Sequence, residues 1–346
     1  MDPITHALFG AVGARCLPFT KKDRSAWIIA SISAVSPDLD LLIPCSGNSF
    51  VKASLHRYYT HALSFFPFEA LILTVLFWYL YDKRLERIKV YTLALFGLCS
   101  HLCLDIMTSS GLPFLWPFTR CRFTFDTFPI VDFCFSAFLL VAFIGLWWNR
   151  RTLCVLGLAL TIGYGAFAVV QHERAAFCQQ TLCISRGHSA IRARVVPSPG
   201  SVLLWRSIYE YDGRYFVDGM RLGNTPIFYT GGNFPKASLE EFTQFRGTAF
   251  YKDCALFFWL MGGYVAVTAP GKLSGLCLSL LPHKNDMLPS ICIDRKPSAT
   301  SKEALQEPKI YFLKRGRSWS ARLRRDGITF LKLLWTGEID KAANAN

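Results

Sequence analysis

Five apolar stretches, residues 25–44, 62–81, 89–107, 130–148 and 152–170, each come near the roughly 20 residues an α-helix needs to cross a hydrocarbon core. A chain that enters lipid must satisfy every backbone polar group internally, so this half of the sequence is expected to be helical. A sixth stretch, residues 3–19, is shorter. It opens on an acidic residue instead of a positive n-region and runs into further apolar sequence, so it is read as a retained helix rather than a cleaved signal peptide. At 52% hydrophobic and 18% charged residues, the chain has the composition of a membrane protein with a soluble part.

Eight residues with ligand chemistry lie in or beside those stretches: Asp2, His6, Asp38, Asp40, His56, His61, His101 and Asp105. An ionisable side chain at membrane depth costs roughly 2.5–3.5 kcal/mol on insertion scales, so these groups need partners. Carboxylate oxygens and imidazole nitrogens suit Zn²⁺, with Mn²⁺ or Fe²⁺ as alternatives, and no cysteines are arranged for a thiolate site. Spacing supports a shared direction. Asp2 with His6, and His101 with Asp105, are four residues apart and share a helix face. Cys99 and Cys103 lie about 200° away from His101 and are expected to face lipid or a neighbouring helix. In Ser36-Pro37-Asp38-Leu39-Asp40, the proline disfavours helix before it and removes a donor, breaking the second stretch where a cavity would tolerate the break.

Charge orients the spans. Positive residues of short loops mark the cytoplasmic side. Here they fall at Lys21, Lys22 and Arg24, at Lys83, Arg84, Arg87 and Lys89, and at Arg150 and Arg151, which are alternate loops. Six spans with those loops inside put the N-terminus, the connections near 45–61 and 108–129, and everything after about 171 outside. All eight ligand candidates then converge on the outer side. Arg120 and Arg122, in an outer connection, run against the pattern.

At Asp2-Pro3-Ile4-Thr5-His6, Ser36-Pro37-Asp38-Leu39-Asp40, His56-Arg57-Tyr58-Tyr59-Thr60-His61-Ala62-Leu63 and His101-Leu102-Cys103-Leu104-Asp105, the chain resembles the YdjM-like family of membrane-bound proteins regarded as metal-dependent hydrolases. Order and spacing both match over residues 1–170, with a fainter likeness at Pro197-Ser198-Pro199 and Leu204-Trp205-Arg206. The Thr-His and Pro-Asp elements also look like those of zinc-dependent phospholipases C, a distant likeness that implies phosphoester chemistry. One departure is Ala62, where the family often has serine. The resemblance implies a metal centre built from the eight residues above.

Other readings compete at each position. Asp2 also suits the positive end of a helix dipole, and Asp38 or Asp40 a turn. Arg57 is either a headgroup-facing residue or a phosphate-binding fork. Glu69 and Asp132 are secondary ligand candidates. His172-Glu173 resembles the start of a zinc-protease helix, but Ala176 occupies the place of the second histidine. No phosphate-binding glycine loop and no Gly-x-Ser-x-Gly elbow occurs.

From about residue 175 the pattern changes. Residues 190–196, 202–211, 214–222 and 226–229 are β-rich runs separated by turn residues such as Asp212-Gly213, predicting an antiparallel sheet. Ser238 with Glu241 fits a capping box opening a helix of about ten residues. Residues 256–268 read as a strand pair turning at Gly262-Gly263, in preference to a seventh span. Residues 295–309 read as a polar linker and the last dozen as a loose tail. Residues 1–170 carry 14 basic and 10 acidic side chains, against 24 and 14 in residues 171–346, so the second half is the basic one. Its arginines, Arg315, Arg317, Arg322, Arg324 and Arg325 beside Trp319, suit anionic headgroups better than nucleic acid outside the cytoplasm, and a solvated face better than either. Of twelve cysteines, Cys178 and Cys183 are near enough in sequence to bridge, though no Cys-x-x-Cys occurs.

The sequence therefore predicts a polytopic helical membrane domain over residues 1–172, with a metal centre at one membrane face, followed by a soluble, β-rich α+β domain over residues 173–346. The expected activity is that of an inner-membrane, metal-dependent hydrolase acting on a phosphoester or lipid-linked substrate. Arg57 and Asp40 are its catalytic candidates, Asp40 doubling as ligand or general base. A non-catalytic metal-binding protein or ion transporter stands as the alternative, and a membrane-anchored interaction protein working through its basic domain as a third reading.

Overall fold

The computed structural model describes residues 1–20, 24–42, 58–81, 86–285, 289–294, 309–312, 326, 329–334 and 336. It divides into two compact units, Met1–Val170 and Gln171–Asn346.

The first unit is helical. Its helices are α1 (Pro3–Ala14), α2 (Arg24–Val35), α3 (Phe66–Leu80), α4 (Arg87–Ile106) and α5 (Phe133–Trp147), with the start of α6 (Arg151–Ser185). Helix α1 opens with Pro3 at its first position, and the Asp2 carboxylate accepts the Thr5 N–H at 3.0 Å, an arrangement that satisfies one of the helix's unpaired amides. Helix α2 stops at Val35 because Ser36-Pro37 turns the chain into a 3₁₀ segment, Ser36–Leu42, which carries Asp38 and Asp40.

Among the described residues two helices, α4 with 20 residues and α6 with 35, are long and apolar enough to cross a membrane. The other apolar helices are shorter: α1 has 12 residues, α3 and α5 have 15 each. Fifteen residues rise about 22 Å, less than a hydrocarbon core of about 30 Å. The sequence stretches overreach the helices because their ends fold as turns. The stretch beginning at residue 62, for example, opens with Leu63 N–H donating to Phe114 O and Phe65 N–H to Ala62 O. Helix α3 nevertheless exposes Phe68, Leu71, Ile72, Val75, Leu76 and Leu80, and α6 exposes Val155, Ile162 and Val170. So continuous an apolar surface is what a lipid-facing helix presents and what a water-facing one avoids.

Small residues bring α1, α2 and α4 into backbone contact. A Cβ on Gly97 would sit 2.6 Å from Ala30 O and 2.9 Å from Ala34 N, and one on Gly10 would sit 2.7 Å from Ala30 O. Close approach through Gly and Ala is how helices pack where lipid offers no hydrophobic drive. It fixes the height of α2 against α4, and hence of Asp38 and Ala34 against His101.

The second unit holds two antiparallel four-stranded sheets. Strands β1 (Arg192–Pro197), β2 (Leu204–Tyr211), β3 (Arg214–Leu222) and β4 (Pro226–Pro235) pair in sequence order, as do β5 (Val265–Ala269), β6 (Lys272–Gly275), β7 (Ser290–Asp294) and β8 (Lys309–Phe312). The β2–β3 hairpin turns at Asp212-Gly213, whose φ values of 49° and 66° are those of the two-residue turn matching strand twist. All four strands expected in residues 190–229 are present. The Ser238–Glu241 capping box is present too, but it opens a seven-residue 3₁₀ helix, Leu239–Phe245.

Residues 256–268 correct the expected strand pair. Their first part ends a helix, α7 (Ala249–Leu260), capped by Thr248 accepting from Tyr251 N–H, and their last part is β5. Gly262 and Gly263, at φ 61° and 78°, form the exit from the helix, and the hairpin turns later, between Ala269 and Lys272. Cys178 and Cys183 are free thiols on α6, where five residues of helix set them about 140° apart. The polar linker up to its last residue, Lys309, which begins β8, the arginine-rich segment and the tail apart from Thr336 lie outside the described residues.

Arg206 is fully buried and ties the sheets' loops together. It donates to Leu276 O at 2.7 Å, to Pro282 O and Lys284 O at 2.9 Å, and to the Asn285 side chain. Burial pulls its pKa down to about 10, so it remains charged at neutral pH and its charge is met by carbonyl oxygens.

Candidate metal centre

Five of the eight ligand candidates converge in the helical unit. His6 comes from α1, Asp38 from the 3₁₀ segment after α2, His61 from the turns before α3, and His101 and Asp105 from one face of α4. His6, His101 and Asp105 have no solvent exposure, His61 has 1% and Asp38 9%. Among the described residues two groups have ligand atoms within 4.8 Å of one another: His6, Asp38 and His101, and His61, His101 and Asp105.

The nitrogen geometry is tight. His101 Nε2 lies 3.0 Å from His61 Nε2, 3.7 Å from Asp105 Oδ2 and 3.9 Å from Asp38 Oδ1. His61 Nε2 is 3.6 Å from Asp38 Oδ1 and 3.7 Å from Asp105 Oδ2. His6 Nε2 is 3.1 Å from Asp105 Oδ1, which also meets the Met1 amino group, and the His6 and His101 rings stack with centroids 3.9 Å apart.

Whether a metal fits can be decided from the hydrogen bonds behind the rings. His101 Nδ1 faces Ala34 O at 2.8 Å. A carbonyl only accepts, so Nδ1 carries the proton and Nε2 of the neutral ring is a lone pair. His61 Nδ1 faces Thr60 Oγ1 at 2.9 Å, and the hydroxyl already donates to Asp40 Oδ2 at 2.7 Å. The hydroxyl has one hydrogen, so His61 Nδ1–H donates to it and His61 Nε2 is also a lone pair. Two neutral imidazoles thus aim lone pairs at each other across 3.0 Å, beside two buried carboxylates. With both rings neutral that arrangement repels itself, and a cation among the four groups, a metal ion or a proton shared by the two rings, relieves it. Three imidazoles and two carboxylates are a donor set that suits Zn²⁺, and the residues present fit such an ion.

The remaining candidates are placed differently. Asp2 and Asp40 belong to neither ligand group. Each accepts from a threonine that precedes a ligand histidine: Thr5 Oγ1 donates to Asp2 Oδ2 at 2.6 Å, as Thr60 does to Asp40. His56 and Arg57 lie outside the described residues. Glu69 accepts from Ser36 Oγ at 2.8 Å, and Asp132 caps α5 while accepting from Tyr164, so both have work outside the groups. Cys99 and Cys103 are exposed on the far side of α4, as their spacing predicts. The sequence reading missed Thr60. The signal available was the repeated Thr-His pair with an aspartate nearby.

A family model described as YdjM inner membrane protein matches residues 1–175, just over half of the chain and the whole of the part that bears the cluster. The chain belongs to this YdjM family. Its match ends before Pro197 and Arg206, so the second unit beyond residue 175 falls outside it. No curated protein and no solved structure matches the chain.

Proposed function

We propose that this YdjM-family chain is an inner-membrane, metal-dependent hydrolase. The observation that supports the reading is the facing pair of imidazole lone pairs, His61 Nε2 and His101 Nε2 at 3.0 Å, beside the buried carboxylates of Asp38 and Asp105. His6, Asp38, His61, His101 and Asp105 would hold the ion. A divalent metal bound there supplies a Lewis acid that eases deprotonation of water and polarises a phosphoryl or carbonyl oxygen.

The chain's own residues prepare that chemistry. Ala34 O and the Thr60 hydroxyl keep both rings in the tautomer that points Nε2 inward. Burial raises the strength of every charge in the site by excluding water. Arg57, next to His56, is proposed to fork a phosphate oxygen. The apolar surfaces of α3 and α6 keep the site at the lipid, which favours an ester whose tail stays in the bilayer. We further propose six membrane crossings, with the metal centre and the second unit outside the cytoplasm, in line with the alternating positive loops. Arg122, one of the two exceptions in an outer connection, donates to Ser110 O and Gly111 O at 2.6 and 2.8 Å, so it serves to close that loop.

The test is elemental analysis of the purified chain and of a His61→Ala/His101→Ala variant. The wild type should retain about one divalent transition metal or more per chain, and the variant should lose most of it. Metal retained in full by the variant sinks the assignment. A metal-loaded wild type that hydrolyses no phospholipid or polyprenyl phosphate, but moves ions across vesicles, decides for transport.

A further inference from the structure

We infer that Asp40 is a positioning residue that acts through Thr60 to fix the nitrogen His61 presents to the centre, an inference that rests on the metal-centre reading above. The geometry is a three-member relay: Asp40 Oδ2 accepts from Thr60 Oγ1 at 2.7 Å, and Thr60 Oγ1 accepts from His61 Nδ1 at 2.9 Å. Each member has one role open to it. The carboxylate only accepts, the hydroxyl has a single hydrogen, and the imidazole is left to donate. The relay leaves His61 Nε2 bare where Asp38, His101 and Asp105 converge.

A carboxylate at the end of such a relay does two things. It orients the ring, and it pulls on the Nδ1 proton through the hydroxyl, which makes Nε2 the stronger donor to a cation. The other Thr-His pair throws the arrangement into relief. Thr5 also donates to its aspartate, Asp2, but its hydroxyl lies 2.7 Å from Ser136 Oγ, and among the described residues His6 Nδ1 has no hydrogen-bond partner. The same local motif caps a helix in one place and holds a ligand ring in the other. Asp40 stands in neither ligand group, and the relay gives it a role that needs no direct coordination.

The roles separate by substitution in the full-length chain in detergent micelles, with Zn²⁺ affinity measured by chelator competition and His61 followed by ¹⁵N imidazole NMR of the metal-free protein. Thr60→Val keeps the shape and deletes the relay; it should weaken Zn²⁺ binding about 10–100-fold, and the His61 Nδ1 signal should lose its protonated character. Thr60→Ser should restore both. Asp40→Asn retains an oxygen acceptor and should lose less than Thr60→Val, whereas Asp40→Leu should match it. A directly coordinating Asp40 reverses the order, with Asp40→Asn losing most of the metal and Thr60→Val almost none; that result overturns the relay, as does an unchanged His61 signal in Thr60→Val. A wild-type protein that binds no Zn²⁺ would instead count against the metal-centre reading, and the NMR measurement would still decide the relay.

Discussion

Gly97→Ala is a sharp probe of the scaffold, because it adds one methyl group a helical turn from His101 and touches no ligand. The added Cβ would lie 2.6 Å from Ala30 O, 2.7 Å from Ser33 Cβ and 2.9 Å from Ala34 N, all on α2. Carbon contacts relax at roughly 3.5–4.0 Å, so α2 must retreat by about 1 Å. The His101 Nδ1–Ala34 O bond, 2.8 Å long, lies across the same interface. The same retreat stretches it to about 3.8 Å, beyond hydrogen-bonding range. Alanine raises helix propensity by about 1 kcal/mol over glycine, while overpacking costs about 1–3 kcal/mol. Stability should therefore fall by up to about 2 kcal/mol. Zn²⁺ affinity should fall about 10–100-fold, the usual effect of losing the partner behind a ligand histidine. Unfolding in mixed micelles and chelator competition measure the two. Gly163→Ala is the control: among the described residues nothing lies within 4 Å of a Cβ there, so stability and metal affinity should hold or improve. If Gly97→Ala keeps both wild-type stability and wild-type Zn²⁺ affinity, the idea that α2 packing sets the site is wrong.

Three further outcomes are expected. A reporter active only outside the cytoplasm should work when fused after residue 346 and fail after Lys83; the reverse pattern would invert the topology. Arg206→Met should destabilise the second unit by about 3 kcal/mol or more, because four acceptors lose a buried charged donor, and Arg206→Lys should recover only part of it; a Met variant as stable as wild type in denaturant titration would rule this out. Burial, with Glu210 nearby, pushes the Tyr215 phenol up to about 12. A raised pKa means the folded state holds that proton more tightly, so the stabilisation is complete below about pH 10 and fades as pH approaches 12. Absorbance titration of wild type against Tyr215→Phe should show one phenol missing from the late-ionising fraction, and no difference would refute it.

Local signals in the sequence were read well and long-range ones poorly. His101 and Asp105 were legible as a pair because four residues return to one helix face. The strands between Arg192 and Pro235 were legible because Asp212-Gly213 and its fellow turn residues punctuate them. The meeting of His61 with His101 was inferred only as membership of a set, since it joins residues 40 positions apart through tertiary packing. The end of helix α7, residues 256–260, was misread because Phe257, Phe258 and Trp259 have strand propensity, and the helix capped at Thr248, with Phe242 and Phe245 packed around Phe250 in its first turn, overrides it. Gly262-Gly263 added to the error, because a glycine pair suits a helix exit as well as a hairpin. Thr60 went unread for a different reason. A hydroxyl carries no charge and costs little to bury, so nothing in composition marks it, and its importance comes only from its two neighbours.

His101 belongs to both ligand groups, yet its Nδ1 is committed to Ala34 and it has a single lone pair to give. One nitrogen cannot serve two ions at once. The two groups are therefore overlapping descriptions of one seat, and any second ion would have to share Asp38 or Asp105 with the first, since a carboxylate has two oxygens and an imidazole in this tautomer has one donor. If metal binds here, the carboxylates would set its stoichiometry: removing both aspartates should cap occupancy at one, whatever the concentration of metal supplied.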